Sequence, residues 1–266
     1  MGVEHATLGV FIVIAVLIGP VIFYIRRARI EKKELYVRRI PGVDAIDEAT
    51  GRAAELGRPL SFTPGLTTVS PVLYACLGVL YHVARKAALY KTRLLLPQSD
   101  AQVMAVTEDV LRDAYRTEGR LASLDPKNNI YLSDEQFAYA AGYMGLMQRE
   151  NVAAAFLFGA FAAESLLLAE AGQQVGAMQV AASVSPEQVP FFICTCDYTL
   201  IGEELYAASA YLTREPVQLG SLYGQDRAKL VLAVIIIIGV CIATANSIWP
   251  ELKLNNFEYY LLKELW

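Results

Sequence analysis

The sequence predicts an α/β fold, a single mainly parallel sheet with helices on both faces, flanked by an N-terminal and a C-terminal transmembrane helix. Three observations carry that prediction. Short apolar runs alternate with longer segments of helical period, the pattern of repeated β-α-β crossovers. Residues that open helices stand directly behind several of those runs. Two apolar runs, residues 8–25 and 230–249, bracket the chain, and each matches the roughly 20 residues that a bilayer core requires.

Residues 8–25 carry no charge, and Arg26, Arg27, Arg29, Lys32 and Lys33 follow at once. The positive-inside rule then places the N-terminus outside and the next segment in the cytoplasm. A cleaved signal peptide has its positive charge ahead of the apolar run, so this order indicates a retained anchor. Residues 26–39 continue the helix as a charged stalk, which Pro41-Gly42 ends. Asp44 is expected to cap a helix over 45–56, with Gly57 as its stop.

Residues 59–63 read as the first strand. Ser70-Pro71 then opens a helix to Tyr90, with serine as cap and proline in the first turn. Residues 93–97 form the second strand, and Ser99 or Asp100 caps a helix to Glu118. Residues 129–132 are the third strand, and Ser133 to Gln136 has capping-box spacing for a helix to Arg149. A buried fourth strand follows over 154–161, then a helix over 163–171 and a fifth strand over 176–182. Ser185 to Gln188 repeats the capping-box spacing, and Asp197 is expected to cap a long helix to Leu212. Residues 152–172 are long enough to span a membrane but contain Glu164 and Glu170. A carboxylate inside a span costs about 2.5–3.5 kcal/mol, so this stretch reads as core.

Arg227 and Lys229 precede the second anchor on the side already assigned to cytoplasm, so the two anchors agree. Trp249 fits an aromatic belt. Leu254, Phe257, Leu261 and Leu265 recur at helical spacing and predict an amphipathic interfacial tail. The expected organisation is an anchor and stalk (1–39), a cytoplasmic α/β domain (40–227), a second span (228–249) and the tail (250–266).

The chain has 266 residues and a net charge of −4, which argues against a nucleic-acid partner. Its four cysteines and two histidines supply no zinc set, and Cys194-x-Cys196 reads as two thiols on an apolar segment. No metal and no cofactor is expected. Neither a G-x-G-x-x-G, a Walker lysine motif nor a G-x-S-x-G occurs, so no catalytic residue is assigned. Glu164, Glu170, Glu203 and Glu204 lack the histidine that helical metal sites add.

Ligands of open parallel sheets bind beyond the carboxyl ends of the strands. The candidate ligand residues there are Thr63, Gly65, Thr67, Thr68, Ser70, Ser99, Ser133 and Ser183. Ordinary helix capping asks for the same residue types. Small residues and tyrosines crowd 137–145 and 205–212, which suits either a subunit interface or tight packing within one chain. The candidate contact residues are Phe137, Tyr139, Gly142, Tyr143, Tyr206 and Tyr211.

Residues 133–142, 197–212 and 214–226 together resemble a bacterial family of membrane-anchored proteins catalogued only as a domain of unknown function. The resemblance implies the layout above and a prokaryotic origin; together with the flanking charges this gives an expected location in a prokaryotic plasma membrane, with the central domain cytoplasmic and both termini outside. It implies no activity. The leading expectation is a structural or assembly scaffold that forms a homo-oligomer and has the lipid bilayer and other membrane proteins as partners. The alternative is a tethered sensor that binds a small anionic ligand, a nucleotide or phosphorylated metabolite, at the strand ends.

Overall fold

The computed structural model describes residues 8–31 and 41–248. These fall into two compact units: Arg38–Thr213, and a second unit that joins the two ends of the chain, Met1–Val37 with Arg214–Trp266. The expected interfacial tail, stalk residues 32–39 and Trp249 lie outside the described residues.

The first unit is built on six parallel strands: β1 (Leu60–Gly65), β2 (Leu94–Gln98), β3 (Asn129–Tyr131), β4 (Ala154–Ala160), β5 (Met178–Ser183) and β6 (Tyr198–Ile201). Their order across the sheet is β3-β2-β1-β4-β5-β6, that of the doubly wound folds. Register is set by pairs such as Phe62 with Phe156, Leu96 with Asn129 and Val180 with Tyr198. The central strands are buried on both faces, so they read as continuous apolar runs.

Alternate residues feed two cores. Leu60, Phe62, Phe156, Phe158 and Val180 pack under α2 (Pro41–Leu56), α3 (Pro71–Tyr90), α4 (Ala101–Thr117) and α8 (Glu204–Thr213). Leu95, Ala155, Leu157 and Ala181 pack under α5 (Gln136–Glu150), α6 (Ser165–Gln174) and α7 (Val189–Thr195). Residues 152–172 are therefore β4 and much of α6, inside the core.

Several boundaries differ from expectation. Asp197 does not cap a long helix; its carboxylate accepts the Gln179 amide at 2.7 Å and stands just before β6, a sixth strand that the helical reading hid. Tyr-Thr-Leu-Ile favours an extended edge, since aromatic and β-branched side chains fit a pleated surface. Asp44 lies inside α2, which starts at Pro41. The Ser133 hydroxyl accepts from the Glu135 amide at 3.1 Å, a local turn ahead of α5 and not a cap at its third residue. Asp100 does cap α4, accepting from Gln102 at 2.6 Å and Val103 at 3.2 Å.

The second unit contains α1 (Leu8–Glu31) and α9 (Pro216–Ile248). Gly220 lies level with Tyr24 and Ile25, and Gly224 level with Pro20 and Val21, so the two helices run antiparallel. A Cβ on Gly220 would meet the Ile25 Cα and the Tyr24 carbonyl oxygen at 2.8 Å. Glycines four apart let two backbones approach this closely. Ala228 continues the same stripe, and the Tyr24 and Tyr223 rings meet at 5.8 Å.

Two helices among the described residues are long and apolar enough to cross a membrane, Pro71–Tyr90 and Pro216–Ala245. The first is 61% buried and is the central core helix α3, whereas the second is 6% buried. Only the second leaves its apolar surface uncovered by protein.

Candidate functional site at the carboxyl edge of the sheet

In this strand order the topological switch falls between β1 and β4, because α3 leaves β1 to one face and α6 leaves β4 to the other. Doubly wound proteins keep their ligand crevice there. Here the chain closes it. Gly65 takes a left-handed φ of 65°, which turns β1 back over the end of β4. The Leu66 amide then donates to the Ala160 carbonyl at 3.1 Å. The Thr67 hydroxyl donates to the Pro64 carbonyl at 2.5 Å and accepts from the Ala160 amide at 2.7 Å. Gly159 lies beneath, and a Cβ there would overlap the Pro64 carbonyl oxygen and the Thr67 hydroxyl.

A buried polar network backs this latch. The Thr63 hydroxyl donates to the Pro97 carbonyl at 3.2 Å, accepts from the Gly65 amide at 3.0 Å and meets the Tyr139 hydroxyl. The Ser99 hydroxyl donates to the Gly65 carbonyl at 2.7 Å. Burial raises the Tyr139 phenol above its ordinary value, the Thr63 bond offsets part of that, and the charge of Glu164 adds to it. Tyr139 is therefore a hydrogen-bond donor at every physiological pH. Glu164 is fully buried; its carboxylate accepts from the Ala162 amide at 2.9 Å and from the Gln136 side chain at 2.6 Å.

Of the residues expected to bind a ligand, the fold thus gathers Thr63, Gly65, Thr67 and Ser99 into one cluster, and their hydrogen bonds go to the chain itself. Thr68 is exposed beside them, and Ser70 precedes α3 without a side-chain capping bond. Ser133 stands apart after β3. Ser183 is buried at the end of β5, accepting from the Ser185 amide at 3.1 Å. The expected contact residues also separate. Tyr139 and Tyr143 are fully buried in the core, where no second subunit reaches them. Gly142 packs on Leu132, Tyr206 and Tyr211 are half-buried against the α3 face, and Phe137 is 64% exposed.

What this edge offers a partner is apolar and acidic. Val69, Tyr74, Phe137, Leu166 and Phe191 are large, exposed and spread over the connections and first helical turns that follow four of the six strands, and Tyr131 and Ile201 are exposed as the last residues of β3 and β6. The charged residues at its surface are Asp100, Asp134, Glu135, Glu187, Glu203 and Glu204. Among the described residues, the connections 66–74, 99–104, 132–139, 161–168, 184–192 and 202–207 at this edge contain no lysine, arginine or histidine. Free helix amides can hold an anion, but here no side-chain cation assists them. No group of three or more potential metal ligands occurs among the described residues.

The family model described as a domain of unknown function, DUF6754, matches residues 2–253. The chain belongs to the DUF6754 family. The match takes in both terminal apolar runs and the whole sheet domain, so DUF6754 describes the two units together. No curated protein and no solved structure matches the chain.

Sequence reasoning missed Glu164 and Gly159 as parts of this site. Glu164 sits in an otherwise apolar run and reads from the sequence as a reason to reject a membrane span and as a carboxylate without the histidine of a helical metal site, not as a partner of Gln136. Gly159 had no signal beyond being a glycine at a strand end, which often marks close backbone approach.

Proposed function

We propose that this chain is a membrane-anchored assembly protein whose α/β domain associates with further copies of itself. The observation that carries this reading is the carboxyl edge of the sheet. The crevice that would take a small ligand is stitched shut by Thr67 over Gly159, and the same edge exposes Tyr74 and Phe137, each at 64%. Large apolar side chains dispersed over this edge suit a macromolecular surface better than a small-molecule pocket. The uncovered apolar surface of α9 supports an anchor in lipid. The positive-inside pattern of Arg26, Arg27 and Arg29 supports a cytoplasmic location for the domain.

Crosslinking of the full chain in native membranes tests this. The expected result is a ladder of homo-oligomers that survives dilution of the membranes with extra lipid. A single monomeric species at every crosslinker concentration would refute it.

A further inference from the structure

β6 is an open edge: its only strand partner among the described residues is β5. The Gly202 amide donates to the Ser183 carbonyl at 3.0 Å, which fixes the phase of the ladder. Alternate residues of a parallel strand turn their backbone groups toward one neighbour, so Tyr198, Leu200 and Gly202 face β5. Thr199 and Ile201 face away. The Ile201 amide is closed off within the chain, donating to the Glu204 carboxylate at 3.0 Å. The N–H and C=O of Thr199 have no such partner among the described residues.

Proline, lysine or a bulge ordinarily keeps a sheet edge from pairing with another chain. The opposite edge strand, β3, has three residues and follows Pro126 and Lys127. β6 contains none of these devices, and its register with β5 is unbroken. Only its shortness, four residues, guards it. The face it shares with α7 is apolar. α7 has no charged residue and exposes Phe191 and Ile193, and Ile201 is 52% exposed.

We propose that β6 pairs antiparallel with β6 of a second copy, joining two six-stranded sheets across a two-fold axis. The proposal rests on the self-assembly reading above and names one of its contacts. One free donor and one free acceptor on a single residue suit a two-fold axis. Thr199 opposite its own copy exchanges both bonds, as directly opposed residues of an antiparallel pair do. The Thr199 hydroxyl also lacks a partner within the chain, and opposed threonines bond across strands. In this register Asp197 stands opposite Ile201 of the copy and Thr195 opposite Glu203, so no two carboxylates oppose each other along the strands. The axis keeps both α7 helices on one face of the joined sheet, which brings their apolar side chains to the same side. On the other face α2, whose Gly42 packs on Leu200, carries Asp44, Glu48 and Glu55 beside Arg52. Hydrogen-bond phase and apolar contact therefore select this pairing, not charge. An isologous contact closes at two copies, so larger assemblies use a further surface.

Cysteine crosslinking of the full chain in native membranes tests this. Thr199→Cys is placed in a chain whose four native cysteines are serine, and the membranes are oxidised with copper phenanthroline. Opposed residues of such a pair lie about 5.5 Å apart between Cα atoms, within disulfide range. A disulfide-linked dimer is expected, and Tyr131→Cys, exposed at the end of β3, should give at least tenfold less. Two further variants, without added cysteine, are read with an amine crosslinker. Thr199→Pro removes the outward donor and leaves the bonds to β5 in place. Ile201→Glu sets a carboxylate opposite Asp197 of the copy. Each should lower the dimer at least tenfold. Circular dichroism checks folding, and Ile201→Glu, a change at an exposed side chain, serves if Thr199→Pro does not fold. A wild-type dimer that neither variant weakens, or a Thr199→Cys link to a different polypeptide, would overturn the edge assignment and leave self-assembly standing. A wild type that is monomeric at every crosslinker concentration would remove self-assembly itself.

Discussion

Gly159→Ala probes the closure of the switch point directly. The new methyl would overlap the Pro64 carbonyl oxygen and the Thr67 hydroxyl. Backbone on one side and a doubly bonded hydroxyl on the other leave little room to yield. Overpacking of this kind costs about 1–3 kcal/mol. Displacing Thr67 also loses its bond from the Ala160 amide, a further 0.5–1.5 kcal/mol or so. The expected total is about 2–4 kcal/mol, and at about 2–4 °C per kcal/mol for a domain of this size Tm should fall by roughly 5–15 °C. Thermal unfolding of the full chain in detergent, followed by near-ultraviolet circular dichroism, measures this. Gly51→Ala is the control, since that helical glycine has open space where the methyl would go. It should stabilise by up to about 1 kcal/mol. In a Thr67→Ala background, Gly159→Ala should cost less, because one of the two obstructing atoms is gone. A Tm within 2 °C of wild type, or an equal fall for Gly51→Ala, would refute the latch.

Other outcomes follow from single features. With Tyr24→Cys and Tyr223→Cys in a chain whose native cysteines are replaced, oxidation should join α1 to α9. Adding Gly224→Val should slow that joining about tenfold or more, as overpacking of 1–3 kcal/mol implies. Disulfide reagents at pH 8 should label exposed Cys194 in the folded chain but not Cys76 or Cys196. Burial raises the Cys76 thiol far above its usual range and pushes Cys196 up to about 12. Burial tends to raise the Asp47 carboxyl, but His82 and Lys86 outweigh it and hold the group below its ordinary 3.8. A lowered folded value gives stability that is full above pH 3.8 and is lost as pH falls through the folded value. Asp47→Asn should therefore flatten the acid limb of the Tm profile below about pH 5, and an unchanged limb would show that the His82 contact is inert. Asp100→Ala should cost about 0.5–2 kcal/mol in chemical denaturation, the price of an N-cap.

The doubly wound sheet was legible because its central strands are buried on both faces and its helices announce themselves. Ser70 and Asp100 each stand one residue before a helix, Pro71 is the first residue of α3, and the runs around Leu60, Leu94 and Ala154 lie within a residue or two of the strands they form. β6 was not legible, because four residues at an edge carry little pattern and the small-residue helix behind them dominated the window. The candidate site was half legible. A strand-end rule pointed to Thr63, Gly65, Thr67 and Ser99, and these do meet. Composition cannot tell a hydroxyl that awaits a ligand from one already bonded to Pro97, Pro64 or Gly65. For Tyr139 and Tyr143 the sequence leaves a subunit interface and packing within one chain both open, because α5 has little amphipathic contrast and its buried side cannot be picked out from its period.

The glycine ladder between α1 and α9 also fixes relative depth. Counting on from Gly220 and Gly224 at about 1.5 Å per residue, the middle of the uncharged stretch in α1 lies roughly 16 Å from the middle of the one in α9. The two stretches cannot share one mid-plane. Sinking α1 fully would drag Asp226, Arg227 and Lys229 into hydrocarbon at about 2.5–3.5 kcal/mol apiece. In a bilayer α9 therefore sets the level. Leu17, Ile18, Ile22 and Phe23, all exposed on α1, then ride in the headgroup zone or above it, where the lipid must thicken locally or the pair must tilt.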